Sequence, residues 1–119
     1  MRADYQDNFF RLKSALFDLH GECVSDSELS AEFAFPNNWK LRFDGERYGS
    51  GTFLYFVEPD RGREFNVWLL MLAFNDLWGK AYGVLNFSGE LEFIRKESVA
   101  IFEKVALYEG RYNEVNNVF

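Results

Sequence analysis

The sequence predicts an α+β fold, and three observations predict it. Apolar residues near the N-terminus recur at alternating spacings of four and three. Short alternating runs then follow, separated by Gly, Pro, Asn and Asp. After an unbroken apolar run, the second half returns to helical spacing. The expected architecture is an N-terminal helix, a four-stranded antiparallel meander, and C-terminal helices packed on one sheet face.

Tyr5, Phe9, Leu12, Leu16 and Leu19 fall on one side of a helix over residues 4–20, widened by Phe10 and Phe17. Asp4 is a candidate cap at its start and Gly21 a stop at its end. Residues 22–27 read as a polar connector. Leu29, Ala31, Phe33 and Phe35 alternate with Ser30, Glu32 and Ala34, which predicts a half-buried strand. Pro36-Asn37-Asn38 is turn chemistry. Trp39, Leu41 and Phe43 alternate with Lys40 and Arg42 in a second strand. Thr52 to Val57 is a third, so apolar that a place inside the sheet is expected. Glu58 to Gly62 is a turn, and a fourth strand runs from Arg63 to Val67.

The unbroken run Val67 to Phe74 is flanked by Phe65 and Trp78. It predicts either a strand passing near Val67 into a buried helix that ends at Gly79, or one long buried strand. Periodicity alone does not separate the two. Trp68 and Leu72 are expected to be buried there. Between residues 80 and 89, Tyr82, Val84, Leu85 and Phe87 suit a short strand or an ordered loop. Leu91, Phe93 and Ile94 suit a short helix. Ile101, Val105, Tyr108, Tyr112, Val115 and Phe119 predict a last helix over 97–116. Gly110 inside it suggests a kink or a close packing contact.

A chain of 119 residues is expected to form a single domain, 1–119. Fourteen Phe, six Tyr and three Trp supply a large core, and any surplus rings suit a partner surface. The net charge of −6 is uneven: residues 1–34 hold seven acids and three bases, and Glu22, Asp26, Glu28 and Glu32 meet no Lys or Arg nearby in sequence. Nucleic-acid binding needs a basic stripe, so this balance argues against it. A negative surface suits solubility or a basic partner. The N-terminus lacks the apolar core of a secretory signal, and the apolar run falls short of the ~20 residues that cross a bilayer. The cytoplasm is therefore the default expectation.

Catalytic chemistry finds few candidates. His20 is the one histidine and stands at a predicted helix end, where positive charge is favourable. Cys23 is the one cysteine; it supplies neither a disulfide nor a thiol pair for a metal, and reads as inert. Glu58 and Asp60 flank Pro59 in a turn, and Glu90 and Glu92 flank Leu91 on a charged face. Neither pair has a histidine nearby, and paired carboxylates need a cleft between them. Tyr48-Gly49-Ser50-Gly51-Thr52 lacks the Lys of a phosphate loop and precedes a strand, so it reads as a turn. No catalytic residue, metal or cofactor is expected.

The order of segments carries a resemblance. An acidic chain opens on an amphipathic helix, continues through a strand meander containing RYGSGTFLYF, then FNVWLLMLAF, and closes on IFEKVALYEGRYNEV. This layout resembles the small immunity proteins encoded beside bacterial polymorphic toxins, including those of contact-dependent growth inhibition. The resemblance implies a non-enzymatic inhibitor that binds one cognate toxin domain, often a basic nuclease, and blocks its active site or substrate access. A small enzyme without a motif, or an adaptor that self-associates, are the alternatives. If the partner is basic, the acids unmatched by bases are its expected contacts: Glu22, Asp26, Glu28 and Glu32, joined by Asp44, Glu46 and Tyr48 from the next turn.

Overall fold

A 3-10 turn, Ala3–Tyr5, leads into helix α1, Gln6–Phe17. These elements come from a computed structural model that describes residues 1–82 and 85–119. Five strands follow: β1 Glu22–Asp26, β2 Ser30–Ala34, β3 Lys40–Gly45, β4 Thr52–Val57 and β5 Glu64–Asn66. Three helices complete the chain: α2 Val67–Trp78, α3 Phe87–Glu103 and α4 Val105–Val118. The class is mixed α+β, as the periodicities predict. Contacts resolve into two compact units, Met1–Asn66 and Val67–Phe119. The boundary falls inside the apolar stretch, where strand β5 passes directly into α2.

The first unit is a sheet with a helix on it. The strands are antiparallel in the order β1-β2-β3-β4-β5, a simple meander. Tyr5, Phe9, Leu12 and Leu16 form the buried stripe of the N-terminal segment. They meet the apolar side of the sheet through Phe9 on Phe33 and Tyr5 edge-on to Phe43. The inward positions alternate along each strand: Ala31 and Phe33, Leu41 and Phe43, Leu54 and Phe56, then Phe65. Trp39 adds ring contacts to Phe56 and Phe65. The turn between β2 and β3 closes with Asn38 in the left-handed region at φ 70°, where Asn is tolerated, and Asn37 Oδ1 accepts from the Trp39 amide.

Strand β1 corrects the expectation of a connector over residues 22–27, and the sheet has five strands where four were predicted. An edge strand needs no buried alternation, and β1 is exposed at four of its five positions. Its pairing with β2 also slips between Cys23 and Ser25, so Val24 is the extra residue of a bulge. A bulge erases the period of two by which a strand is recognised. Helix α1 ends earlier than predicted, at Phe17. His20, not Gly21, takes the left-handed position, with φ 59°. The Gly21 amide donates to Leu16 O and the His20 amide to Phe17 O, which closes the helix end. Asp4 does not cap the helix; its carboxylate is held by Arg2 instead.

The second unit is helical. Of the two readings of the apolar run, strand-then-helix is the one adopted, and Gly79 at φ 65° ends α2. Val67, Leu69, Leu70, Met71, Ala73 and Phe74 are buried. Trp68 and Leu72, expected inside, are half-exposed: one turn apart, they share the same stripe of α2. Trp68 is covered there by Phe119, edge to face at 5.2 Å. Phe74 is the hub, with ring contacts to Trp78, Phe93 and Tyr108 between 4.8 and 5.2 Å. The Tyr108 hydroxyl donates to Ile101 O at 2.7 Å, so its buried oxygen is satisfied.

The last helix is broken where a continuous one was predicted. Lys104, with φ −117° and ψ 29°, interrupts it between Glu103 and Val105. Gly110 lies within α4 with open space where a side chain would stand, so close packing does not explain it. Phe87 opens α3, capped by Asn86 Oδ1, which accepts from the Gly89 amide. Tyr82 and Leu85 lie outside helix and strand, and Val84 lies outside the described residues. Glu90, expected on a charged face, is buried, and burial pushes its carboxyl up to about 7.

Two outcomes follow from this packing. Phe74→Ala should lower stability by about 3–5 kcal/mol, the range for a buried aromatic, and Trp68→Ala by clearly less. Equal losses in chemical denaturation would show that the hub is misassigned. For Glu90, the folded chain keeps a proton that the unfolded chain, titrating near 4.5, has already released. Stability should therefore fall as pH rises from about 4.5 to about 7, by up to roughly 3 kcal/mol, and stay low above that window. Glu90→Gln should flatten this slope; melting curves at pH 5 and pH 8 that shift identically in both proteins would refute it.

Candidate partner-binding site

Antiparallel pairing decides which of the predicted contact residues meet. The β1–β2 turn and the β3–β4 loop emerge from the same end of the sheet, because Asp26 pairs with Ala31 and Ser30 with Asp44. The Gly45 amide donates to Leu29 O at 2.7 Å and ties the two connections together. Asp26, Glu28, Asp44, Glu46 and Tyr48 are thus gathered at one end. Glu22 begins β1 at the opposite end, opposite Ala34. Glu32 lies in the middle of β2, with its carboxylate 3.3 Å from Lys40 Nζ.

The N-terminal residues hold this end from beneath. Tyr5 is buried, and its hydroxyl lies 2.6 Å from Glu46 O and 3.0 Å from Gly49 O. A phenol has one proton, so the two carbonyls share it. Its ring lies so close to Gly45 that an added Cβ would stand 2.6 Å from it. Arg2 donates to Arg47 O at 2.8 Å through Nη1 and to Glu46 O at 3.2 Å through Nη2, while Nε and Nη2 hold Asp4. That charge-assisted pair lowers the Asp4 carboxyl from its usual range and raises the Arg2 guanidinium. The Arg2 amide reaches Glu28 O at 2.6 Å, and the Met1 amino nitrogen lies 2.9 Å from Asp26 Oδ1. Met1, Arg2 and Tyr5 thereby fasten both connections.

The acids at this end are not equivalent. Asp44 is half-buried and committed: Ser30 Oγ donates to one oxygen and Arg42 Nε to the other, both at 2.9 Å. Arg42 also forks onto Glu64 and stacks 4.7 Å over the Tyr55 ring. Its hydrogen bonds hold Glu64 below the usual carboxylate range. Among the described residues, Glu28 and Glu46 make no ion pair. The Glu46 carboxylate folds over its own loop, 2.1 and 2.5 Å from where side chains at Gly49 and Gly51 would begin. Tyr48 is 96% exposed at the loop tip. A large amphipathic ring on a clamped loop is a low-entropy contact.

The other sequence candidates fall elsewhere. Glu58 is bonded to Arg63 at 3.0 and 3.1 Å, and Glu92 pairs with Lys96 one helical turn away. The Cys23 thiol is 3.5 Å from Ser25 O. Among the described residues, no group of three or more His, Cys, Asp and Glu side chains is placed to hold a metal ion, and no helix is long and apolar enough to cross a membrane. Sequence reasoning did not find Arg2 and Tyr5, although the aromatic opening the apolar stripe was a signal for Tyr5. No family model, curated protein or solved structure matches the chain.

The clamp is testable by itself. Tyr5→Phe should cost about 0.5–1.5 kcal/mol, one hydrogen bond, and raise amide exchange across residues 46–51. Gly45→Ala forces the pinned ring aside and should cost about 1–3 kcal/mol. Unchanged exchange in Tyr5→Phe would show that the loop is held by other means.

Proposed function

We propose that this chain is an immunity-type inhibitor that binds a basic cognate toxin domain, possessing no catalytic activity of its own, and that the loop end of the sheet is its contact surface. One observation carries the reading: Glu28, Glu46 and Tyr48 are exposed on two loops fastened beneath by Arg2 and Tyr5. Uncommitted carboxylates beside an exposed aromatic on a rigid base suit recognition of a positive protein surface. Charges of this kind steer encounter, and the aromatic supplies buried area on docking. A nuclease domain is the favoured partner, since a site that attracts phosphate is positive. Occlusion of that site then prevents substrate access without chemistry on the inhibitor. Such a role belongs to the cytoplasm, where the toxin would act.

The test is affinity capture from the source cells, followed by kinetics with the captured protein. Glu28→Lys with Glu46→Lys should slow association by roughly tenfold or more at low salt and weaken its salt dependence. Tyr48→Ala should speed dissociation by about tenfold. The captured protein should lose its own activity at one equivalent of inhibitor. Unchanged kinetics in folded variants would remove this end of the sheet as the contact surface. A partner whose activity persists at saturation would end the inhibitor reading.

A further inference from the structure

We infer that the recess at the C-terminal end of α1 is a second binding site, which takes the guanidinium group of an arginine side chain presented by a protein partner. It goes beyond the function proposed above and uses different residues. Glu22, on its rim, begins β1 at the end of the sheet opposite Glu28 and Glu46.

The recess has a volume of 570 Å³ and is bounded by Lys13, Phe17, Asp18, His20 and Glu22. Phe17 is 77% exposed. It lies off the buried stripe of Phe9, Leu12 and Leu16, and its ring also bounds a neighbouring 430 Å³ recess shared with Phe10. An exposed phenyl ring that lines two recesses is apolar surface left for a visitor. His20 adds to this. It lines the recess from the left-handed position that closes α1.

The charge of the rim decides what the visitor is. Asp18 and Glu22 share the lining with Lys13 and His20, and neither carboxylate makes an ion pair among the described residues. The recess also lies at the negative end of the α1 dipole. An anion would meet two carboxylates. A metal ion is disfavoured, since no ligating group of three is assembled here among the described residues. A cation that stacks on a ring and forks onto carboxylates matches all three features. The planar guanidinium does both, whereas a lysine ammonium is a strongly hydrated point charge.

Titration of the ¹⁵N-labelled full chain with N-acetyl-arginine amide tests this, alongside the blocked lysine and citrulline analogues. Saturable amide shifts are expected at Phe17, Asp18, Gly21 and Glu22, with citrulline about tenfold weaker because it lacks the charge. Asp18→Asn with Glu22→Gln should abolish the shifts, and Phe17→Leu should weaken binding about threefold or more with the remaining spectrum unchanged. No saturable shift with arginine overturns the proposal, as does equal binding of citrulline or of lysine. Inorganic phosphate shifting these amides while arginine does not would reverse the sign of the site. The Glu28→Lys, Glu46→Lys protein should titrate like the wild type, so failure here leaves the sheet-end surface standing, and the reverse holds equally.

Discussion

The first unit depends on how a single buried phenol is accommodated. Tyr5 offers a large ring to the core and a hydroxyl that must not be left unpaired. The ring fits because residue 45 has no side chain, and the hydroxyl is satisfied by two carbonyls of the loop that begins there. One side chain therefore couples the start of α1, the end of β3 and the shape of the β3–β4 loop. Arg2 extends the coupling to both connections at that end of the sheet. A loop that carries both Gly49 and Gly51 would otherwise lose much entropy on ordering. Here its carbonyls are already bound from below, and its outward face is left free.

The same unit sorts its acids into those that hold the fold and those that do not. Asp4 goes to Arg2, Asp44 to Ser30 and Arg42, Glu58 to Arg63, and Glu32 to Lys40. Ion pairs at such partly exposed positions add little stability individually. Their main consequence is selective: they cancel charge over the body of the sheet. Among the described ion pairs of this unit, Glu28 and Glu46 at one end of the sheet and Asp18 and Glu22 at the other take no part, and neither do Asp7 on α1 and Asp60 in the β4–β5 turn. Net charge alone does not say which acids are paired; in the first unit, pairing spares Glu28, Glu46, Asp18 and Glu22.

The second unit is organised differently. Its core is a ring cluster around Phe74, and its most unusual member is Glu90, a carboxyl taken out of water near the start of α3. A helix start favours negative charge, yet burial outweighs that and favours the protonated form. Two residues from Glu92 and flanking Leu91, Glu90 resembles an ordinary solvated residue in sequence, because nothing local distinguishes the buried side of an amphipathic segment from its exposed side.

Much of the fold was legible because local periodicity states which side chains must leave water. The helix through Phe9, Leu12 and Leu16, the strands from Ser30 to Asn66 and the passage into α2 with its stop at Gly79 were all readable in this way. Where the pattern was absent, the reading failed for physical reasons. Strand β1 is an edge strand with a bulge, so it has no apolar alternation to display. Trp68 and Leu72 lie in an apolar run whose exposed stripe depends on what packs against it. The break at Lys104 has no glycine or proline to announce it. The proposed contact residues were only partly legible, since sequence shows which residues are acidic but not which are already paired. Register placed Glu28 and Glu46 together and sent Glu22 to the far end. By itself the sequence determined the elements, through side-chain burial; tertiary structure alone decided which charges stay free, because that depends on distances between strands remote in the chain.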